Sequence, residues 1–325
     1  MGGVVYLALK RLILLFACAA LTADLSAQEP ALILDRPPSA ESAESLGLLK
    51  QPDEFIADEF EVGAAKEDWI IDRIRLWAIA TPNAPSPHAL GDFVKKISLL
   101  GGIAPVASRL NQPGADCDCH NLPVLKSTNI APDSNRASNP EVEISGGLRI
   151  HGSPTWQIEF NDLKWSVPGG IPVEFGVFAD TKSGSAWSNL ATPSEPPARL
   201  LVFSRVGRLV GPFKSPSSAR INLQVWGHLL ARISIRPSGS NLQVILWSAP
   251  FLSAEQVDRT SLRFGPGKAG SESIEEENVL HGAQPALVMV FQPGASGIVP
   301  GSINACLTGK RFDGVPFEAC DLLPH

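Results

Sequence analysis

The chain has 325 residues, of which 44% are hydrophobic and 18% charged, and its formal net charge is -6. That is too apolar for a disordered chain and long enough for one large or two ordinary domains. Acids and bases are interleaved with no basic stripe, which argues against a nucleic-acid partner.

Residues 1–28 read as a secretory signal peptide. Lys10 and Arg11 precede the apolar run from Leu12 to Leu21, small residues follow, and cleavage is expected near Ala23 or Ala27. The run is short for a spanning helix, and no later segment is a transmembrane candidate. Leu15-Phe16-Ala17-Cys18 offers a lipoprotein alternative with the lipid on Cys18. The expected location is outside the cytoplasm: extracellular, cell surface or periplasmic. Residues 29–49, with Pro37, Pro38 and several Ser and Glu, read as a flexible leader.

From Asp53 to Ala80 the pattern is strand, turn, strand. Residues 55–60 alternate, Gly63-Ala64-Ala65-Lys66 can turn the chain, and residues 69–79 are rich in Ile and Trp. The two strands are expected to be the founding pair of an antiparallel sandwich. A Pro-rich loop covers 81–92, a strand covers 93–100, and residues 104–141 are the least regular part. Further strands are expected at 141–144, 148–150, 156–160, 171–178, 198–203 and 221–226. A second unit starts near Leu230, with strands at 231–236, 242–247, 261–264, 286–291, 305–307 and 316–319, and Gly or Pro in nearly every gap. The expected fold is all-β: a jelly-roll-like antiparallel sandwich over 50–228, then a smaller immunoglobulin-like sandwich over 229–325.

Ala57-Asp58-Glu59-Phe60, the strand from Trp69 to Trp77 and the Gly-punctuated pair from Trp165 to Phe178 together resemble a kind of exported bacterial β-sandwich protein of unknown function. The resemblance continues in the second half through Val257-Asp258-Arg259-Thr260-Ser261-Leu262-Arg263-Phe264-Gly265, Ser296-Gly297-Ile298, and Ala305-Cys306-Leu307-Thr308-Gly309-Lys310 with Asp313-Gly314. It implies a jelly-roll module of the sort used for carbohydrate binding or surface adhesion. Proteins of this kind place an Asp/Asn-rich calcium loop before a strand that corresponds here to Pro285-Ala286-Leu287-Val288. The loop in this chain is Asn278-Val279-Leu280-His281-Gly282-Ala283-Gln284, and Leu280 and Gly282 have no side-chain oxygen, which argues against calcium there.

Cleavage of the signal would leave Cys117, Cys119, Cys306 and Cys320, an even number suited to disulfides in an oxidising compartment. Cys306 and Cys320 flank a strand–turn–strand pattern with Asp313-Gly314 at its tip, and a hairpin there would bring them together. Two buried free thiols, or a crossed pairing with the Cys117/Cys119 loop, are the alternatives. Asp116-Cys117-Asp118-Cys119-His120 makes Cys117, Cys119 and His120 candidate metal ligands, but C-x-C is tighter than the usual zinc spacing and a fourth ligand is not apparent.

G-x-S-x-G is absent beyond the signal, and the histidines are scattered. Glu159, Asp162 and Glu174 lie near expected strand ends and are the carboxylates a glycoside hydrolase would need. Trp156, Trp165 and Trp187 are candidates for stacking on sugars, although sandwich tryptophans are more often core. The leading expectation is a non-catalytic binding or adhesion protein, partnered by surface glycans or other envelope proteins and needing no cofactor. A secreted carbohydrate-active hydrolase and a purely structural envelope component are the alternatives.

Overall fold

The computed structural model describes residues 29–47, 54–80, 94–101, 124–129, 141–150, 152–179, 187–193, 201–204, 209–212, 219–277 and 285–324. β1 (Ala31–Arg36) and β2 (Ala43–Gly47) come first. β3 (Glu54–Glu61), β4 (Asp68–Ala80), β5 (Val94–Gly101), β6 (Val124–Asn129), β7 (Glu141–Ile150), β8 (Ser153–Asn161), β9 (Trp165–Pro168) and β10 (Pro172–Ala179) follow. Next are four shorter strands, β11 (Trp187–Pro193), β12 (Leu201–Ser204), β13 (Leu209–Pro212) and β14 (Ala219–Ile221). The last third holds β15 (Leu223–Leu230), β16 (Arg232–Ser238), β17 (Asn241–Trp247), β18 (Val257–Phe264), β19 (Ser273–Glu277), β20 (Ala286–Phe291), β21 (Asn304–Arg311) and β22 (Pro316–Leu322). A 3-10 turn at Ala254–Gln256 interrupts them, and the described residues include no α-helix. The chain is all-β, as its alternating pattern predicts. No helix among the described residues is long and apolar enough to cross a membrane.

The strands form three sheets. The largest has twelve strands, with β14-β11-β4-β15-β22-β21-β18 in line and β1, β2, β7, β8 and β9 attached beside them. A six-stranded sheet runs β13-β12-β3-β10-β5-β6, and a four-stranded sheet runs β16-β17-β20-β19. The large sheet is the common layer. Its first half buries Ile74, Leu76, Ile158 and Phe160 in one cluster with Ile97, Leu99, Val173 and Phe175 of the six-stranded sheet, and the rings of Phe160 and Phe175 lie 6.3 Å apart. Its second half presents Leu262, Phe264, Leu307 and Phe317 to Val244, Leu246, Met289 and Phe291, with Phe264 and Phe291 centred 4.8 Å apart. The core is continuous across both sandwiches. Residues on either side of position 229 are joined through backbone hydrogen bonds: Leu229 and Leu230 pair in parallel with Phe317 and Glu318, and the Ala231 N–H donates to Glu318 O at 2.8 Å.

Two expectations are corrected. Residues 29–47 are not a free leader but contain β1, which pairs with β15, and β2, which pairs with β11. The prolines that argue for disorder form the corner between the two strands. There Asn222 Nδ2 donates to Arg36 O and Pro37 O, and Ser42 Oγ meets Thr192 Oγ1 at 2.6 Å. The supposed founding pair is not a pair either. β3 bonds to β10 and β12 in the six-stranded sheet, whereas β4 bonds to β8, β9, β11 and β15 in the large one. The turn between them arches across the core. It is held by Glu67, whose Oε2 accepts the Ala64 N–H at 2.7 Å and Trp69 Nε1 at 3.0 Å, and by Gly170 N donating to Val62 O at 3.0 Å. Apolar positions recur on both strands, but alternation says which face is buried and not which strand lies alongside. Within the stretch 104–141, expected to be the least regular, the described residues include β6, paired with β5, and the first residue of β7.

The expected C-terminal hairpin is present. Gly314 has φ +87°, Arg311 N donates to Val315 O at 2.9 Å, and Cys306 lies directly opposite Cys320 in the β21–β22 register. The two cysteines form a disulfide.

Candidate functional site

β4 carries the feature that builds the site. Trp69 and Ile71 point into the core, and so do Ile74 and Leu76, so the alternation changes phase between them. The pairing with β15 shows why: Arg73 faces Trp226 and Ile71 faces Gly227, leaving Asp72 as an extra residue. This is a β-bulge, which sets two consecutive side chains on the same face. On the other edge of β4 the neighbour changes at the same point. Ile74 pairs with Phe160 of β8 and Ile71 with Trp165 of β9, while the Leu163 N–H donates to Asp72 O at 2.9 Å.

Gly227 lets the two backbones meet at the bulge. A Cβ there would lie 2.2 Å from Ile70 O and 2.8 Å from Ile33 Cδ1. Gly227→Ala is therefore expected to destabilise the fold by about 1–3 kcal/mol, the range of an overpacked interior site. Chemical denaturation measures it, and an unchanged midpoint would remove the close approach from the account of the bulge.

The face of the large sheet away from the core carries two connected groups. In the first, Arg73 Cζ lies 4.1 Å and Arg75 Cζ 4.7 Å from the Trp226 ring centroid. Glu159 sits between the arginines, accepting Arg75 Nε at 2.6 Å and Arg73 Nη1 at 3.4 Å. Gln224 extends the row, accepting Arg75 Nη1 at 3.1 Å and donating to Asp35 Oδ1 at 2.6 Å. Cation–π contact and the shared carboxylate hold the guanidinium groups in place.

The second group lines a cavity of about 660 Å³ beside the bulge. His228 Nδ1 donates to Asp72 Oδ2 at 2.6 Å, which fixes the imidazole and leaves Nε2 without a partner among the described residues. Asp162 and Lys164 stand on the link between β8 and β9, with Lys164 Nζ 3.1 Å from Asp162 Oδ1. The hydrogen bond to Asp162 holds the Lys164 ammonium above the ordinary lysine range. Lys268 and Glu318 also line the cavity, as do Glu29 and Pro30 just before β1. Asp162, Lys164 and Lys268 have φ of +54°, +49° and +53°, so among the described residues three of the four non-glycine positions at positive φ line this one cavity. Such conformations cost free energy and collect at functional sites.

The residues singled out from the sequence fall differently. Trp165 is 4% exposed, with Nε1 donating to Thr128 Oγ1 at 3.2 Å. Its ring is a core element and is corrected as a ligand aromatic. Trp156 is half-buried and lies over Gly146, where a Cβ would come within 2.0 Å of the ring. Trp187 begins β11, and its side chain lies outside the described residues. Glu159 is the counter-ion of two arginines, Asp162 is paired with Lys164, and Glu174 belongs to β10 in the other sheet with its side chain outside the described residues. Of the two described side chains, Glu159 and Asp162, each is held by a cation of its own surroundings. Cys117, Cys119, His120 and the 278–284 loop also lie outside the described residues. Among the described residues one set of three metal-capable side chains converges, Cys306, Glu318 and Cys320, and the disulfide removes both thiolates from it.

Sequence reading missed Asp72, His228, Trp226 and Lys268. Asp72 and Arg73 are visible as charges in an apolar strand, and the broken alternation around them is a detectable bulge signal. His228 looks like any other scattered histidine until β4 and β15 are paired. No protein-family model matches the chain, and no curated protein matches it.

Proposed function

We propose that this chain is an exported, non-catalytic binding or adhesion protein of the bacterial envelope or extracellular space, and that its ligand occupies the cavity beside the β4 bulge. The observation that carries the reading is the convergence of Asp72, Arg73, Lys164, His228, Lys268 and Glu318, from separate strands and turns, around about 660 Å³. Cavities of a few hundred Å³ with apolar walls and a few fixed polar groups are the usual form of a small-molecule site. Surface glycans fit that form, because their rings bring both apolar faces and hydroxyl groups. Export is consistent with the position of β1: cleavage after Ala23 or Ala27 leaves that strand whole, since it begins at Ala31. Intact mass of the processed protein is expected to show loss of roughly the first 23 to 28 residues, and a mature chain starting at Met1 would end the export reading.

The Asp72–His228 pair favours one second reading, a secreted carbohydrate-active hydrolase, because a carboxylate-oriented imidazole can serve as a general base. Glycoside hydrolysis, however, ordinarily uses two carboxyl groups about 5–9.5 Å apart, one of them a proton donor. Asp72 and Asp162 are instead engaged by His228 and Lys164. A glycan array followed by a reducing-end assay separates the readings. Retention without release of reducing ends is expected, and His228→Ala should weaken retention about tenfold, the scale of one hydrogen bond to a charged group. Turnover abolished by the same substitution would establish the hydrolase instead.

A further inference from the structure

We propose that Cys306, Cys320 and Glu318 form a thiolate–carboxylate site for a zinc ion, which the disulfide keeps closed and a dithiol reductant opens. The site stands on its own geometry and does not depend on the binding reading above.

The C-terminal hairpin places the three side chains together. Cys306 and Cys320 are directly opposite in the β21–β22 register, and Glu318 lies two residues before Cys320. Period-two alternation therefore puts all three on one face of the sheet. The other face of the same stretch is the core side, where Ala305, Leu307, Phe317 and Ala319 are buried. The two sulfurs and a Glu318 carboxylate oxygen lie within 4.8 Å of one another, and Cys320 Sγ is 3.6 Å from Glu318 Oε1. A tetrahedral zinc ion, bonded at about 2.3 Å to sulfur and about 2.0–2.2 Å to oxygen, needs a sulfur–oxygen edge of about 3.5–3.7 Å. That edge is already in place. Among the described residues the Glu318 carboxylate has no polar contact other than this sulfur, which carries no proton in the disulfide, so the carboxylate is free to ligate.

Cys320 is exposed, so a small dithiol can reach its sulfur. One thiolate of the reductant attacks Cys320 Sγ and frees Cys306. Its second thiolate then closes on the first, releasing Cys320. Two electrons pass to the cysteine pair, the dithiol leaves as its own disulfide, and the two cysteines take up two protons. Zinc displaces those protons when it binds the thiolates. Two thiolates favour zinc over calcium or magnesium, and water fills the fourth position on the exposed side. β21 remains bonded to β18, and β22 to β15, so opening the bond loosens the hairpin without parting the thiols. The ion then restores a cross-link between the strands.

The test uses the full chain with Cys18→Ser, Cys117→Ser and Cys119→Ser, which leaves Cys306 and Cys320 as the remaining cysteines. The chain is titrated with Zn2+, and separately with Co2+ as a spectroscopic probe, before and after reduction by a phosphine. The reduced chain is expected to bind one equivalent of zinc, release about two protons per ion and regain much of the melting temperature lost on reduction. Cobalt should produce a thiolate-to-metal charge-transfer band. The oxidised chain should do none of these. Glu318→Gln should keep the charge-transfer band and weaken zinc binding by about tenfold or more, at least the loss that follows removal of a group outside the ligand set. Equal binding by the oxidised and reduced chains overturns the site, because the ion then lies elsewhere. Unchanged affinity in Glu318→Gln overturns the role of the carboxylate. A reduced chain that binds no zinc overturns the proposal, whether or not circular dichroism shows its strands retained.

Discussion

Asp58→Ala is expected to cost about 3–5 kcal/mol, the range for removing one partner of a buried ion pair. Asp58 lies on β3 and is 2% exposed. Its Oδ2 accepts Arg36 Nη1 at 2.7 Å and the Ile221 N–H at 2.9 Å. It thus ties the β1–β2 corner and the β14 end of the large sheet to the six-stranded sheet. Removing the carboxylate strands a guanidinium whose Nε and Nη2 already have no partner, and it orphans the Ile221 amide. Urea denaturation followed by tryptophan fluorescence measures the loss. Asp58→Asn, which keeps an acceptor, should fall between wild type and alanine. Arg36→Met with Asp58→Leu should recover much of the stability, because well-packed apolar pairs commonly replace buried ion pairs at little cost. A loss under about 1 kcal/mol for Asp58→Ala would mean that the pair ties nothing together.

The same pair has a signed pH consequence. Burial pushes the Asp58 carboxyl above its ordinary value, against the opposing pull of Arg36, Arg220 and the Ile221 amide. A raised folded pKa means that the folded state binds the extra proton. The contribution of this group is therefore complete below the unfolded carboxyl pKa and declines as pH rises through the folded one. In wild type, Asp58 should not by itself produce acid lability, and the Asp58→Asn variant should show a flatter stability profile across that interval.

Replacing Cys306 and Cys320 together by serine is expected to cost about 3 kcal/mol, the chain-entropy value for a loop of this size. The cysteines are 14 positions apart and opposite each other in β21–β22. The consequence extends to the cavity. β22 meets β15 through only Leu229–Phe317 and Leu230–Glu318, and Pro316, Phe317 and Glu318 line the cavity. Loosening the hairpin should displace Glu318 and weaken ligand retention as well as lower the melting temperature. Mapping of non-reduced peptides should recover the Cys306–Cys320 crosslink. A serine double variant with wild-type stability and full retention would show that the hairpin register holds without the bond.

How much of this was legible in the chain depends on range. Period-two alternation marks residues 231–236 as a strand, because neighbouring side chains on an extended backbone must face opposite ways. Residues 69–79 are marked instead by their Ile and Trp content, and 242–247 and 286–291 by their short spacing between Gly and Pro. The Asp313-Gly314 tip and the disulfide it closes were equally readable, since fewer than about fifteen residues and one positive-φ glycine decide the outcome. The leader was misread for the opposite reason. Residues 31–36 are short and flanked by prolines, and they become a strand only because β15 offers an edge nearly two hundred positions away, as the Arg36–Asn222 separation of 186 shows.

The sequence by itself determined the all-β class, most strand positions and the C-terminal hairpin with its disulfide. All of these follow from backbone geometry and turn chemistry within a few residues. Tertiary structure alone decided that β3 and β4 belong to different sheets, that one sheet serves both sandwiches, and that Asp72 meets His228 across 156 positions. Alternation specifies a face and leaves the partner open. A bulge adds one residue and reverses the face of everything beyond it, so the side chains that converge on the cavity become neighbours only when the pairing of β4 with β15 and of β15 with β22 is set.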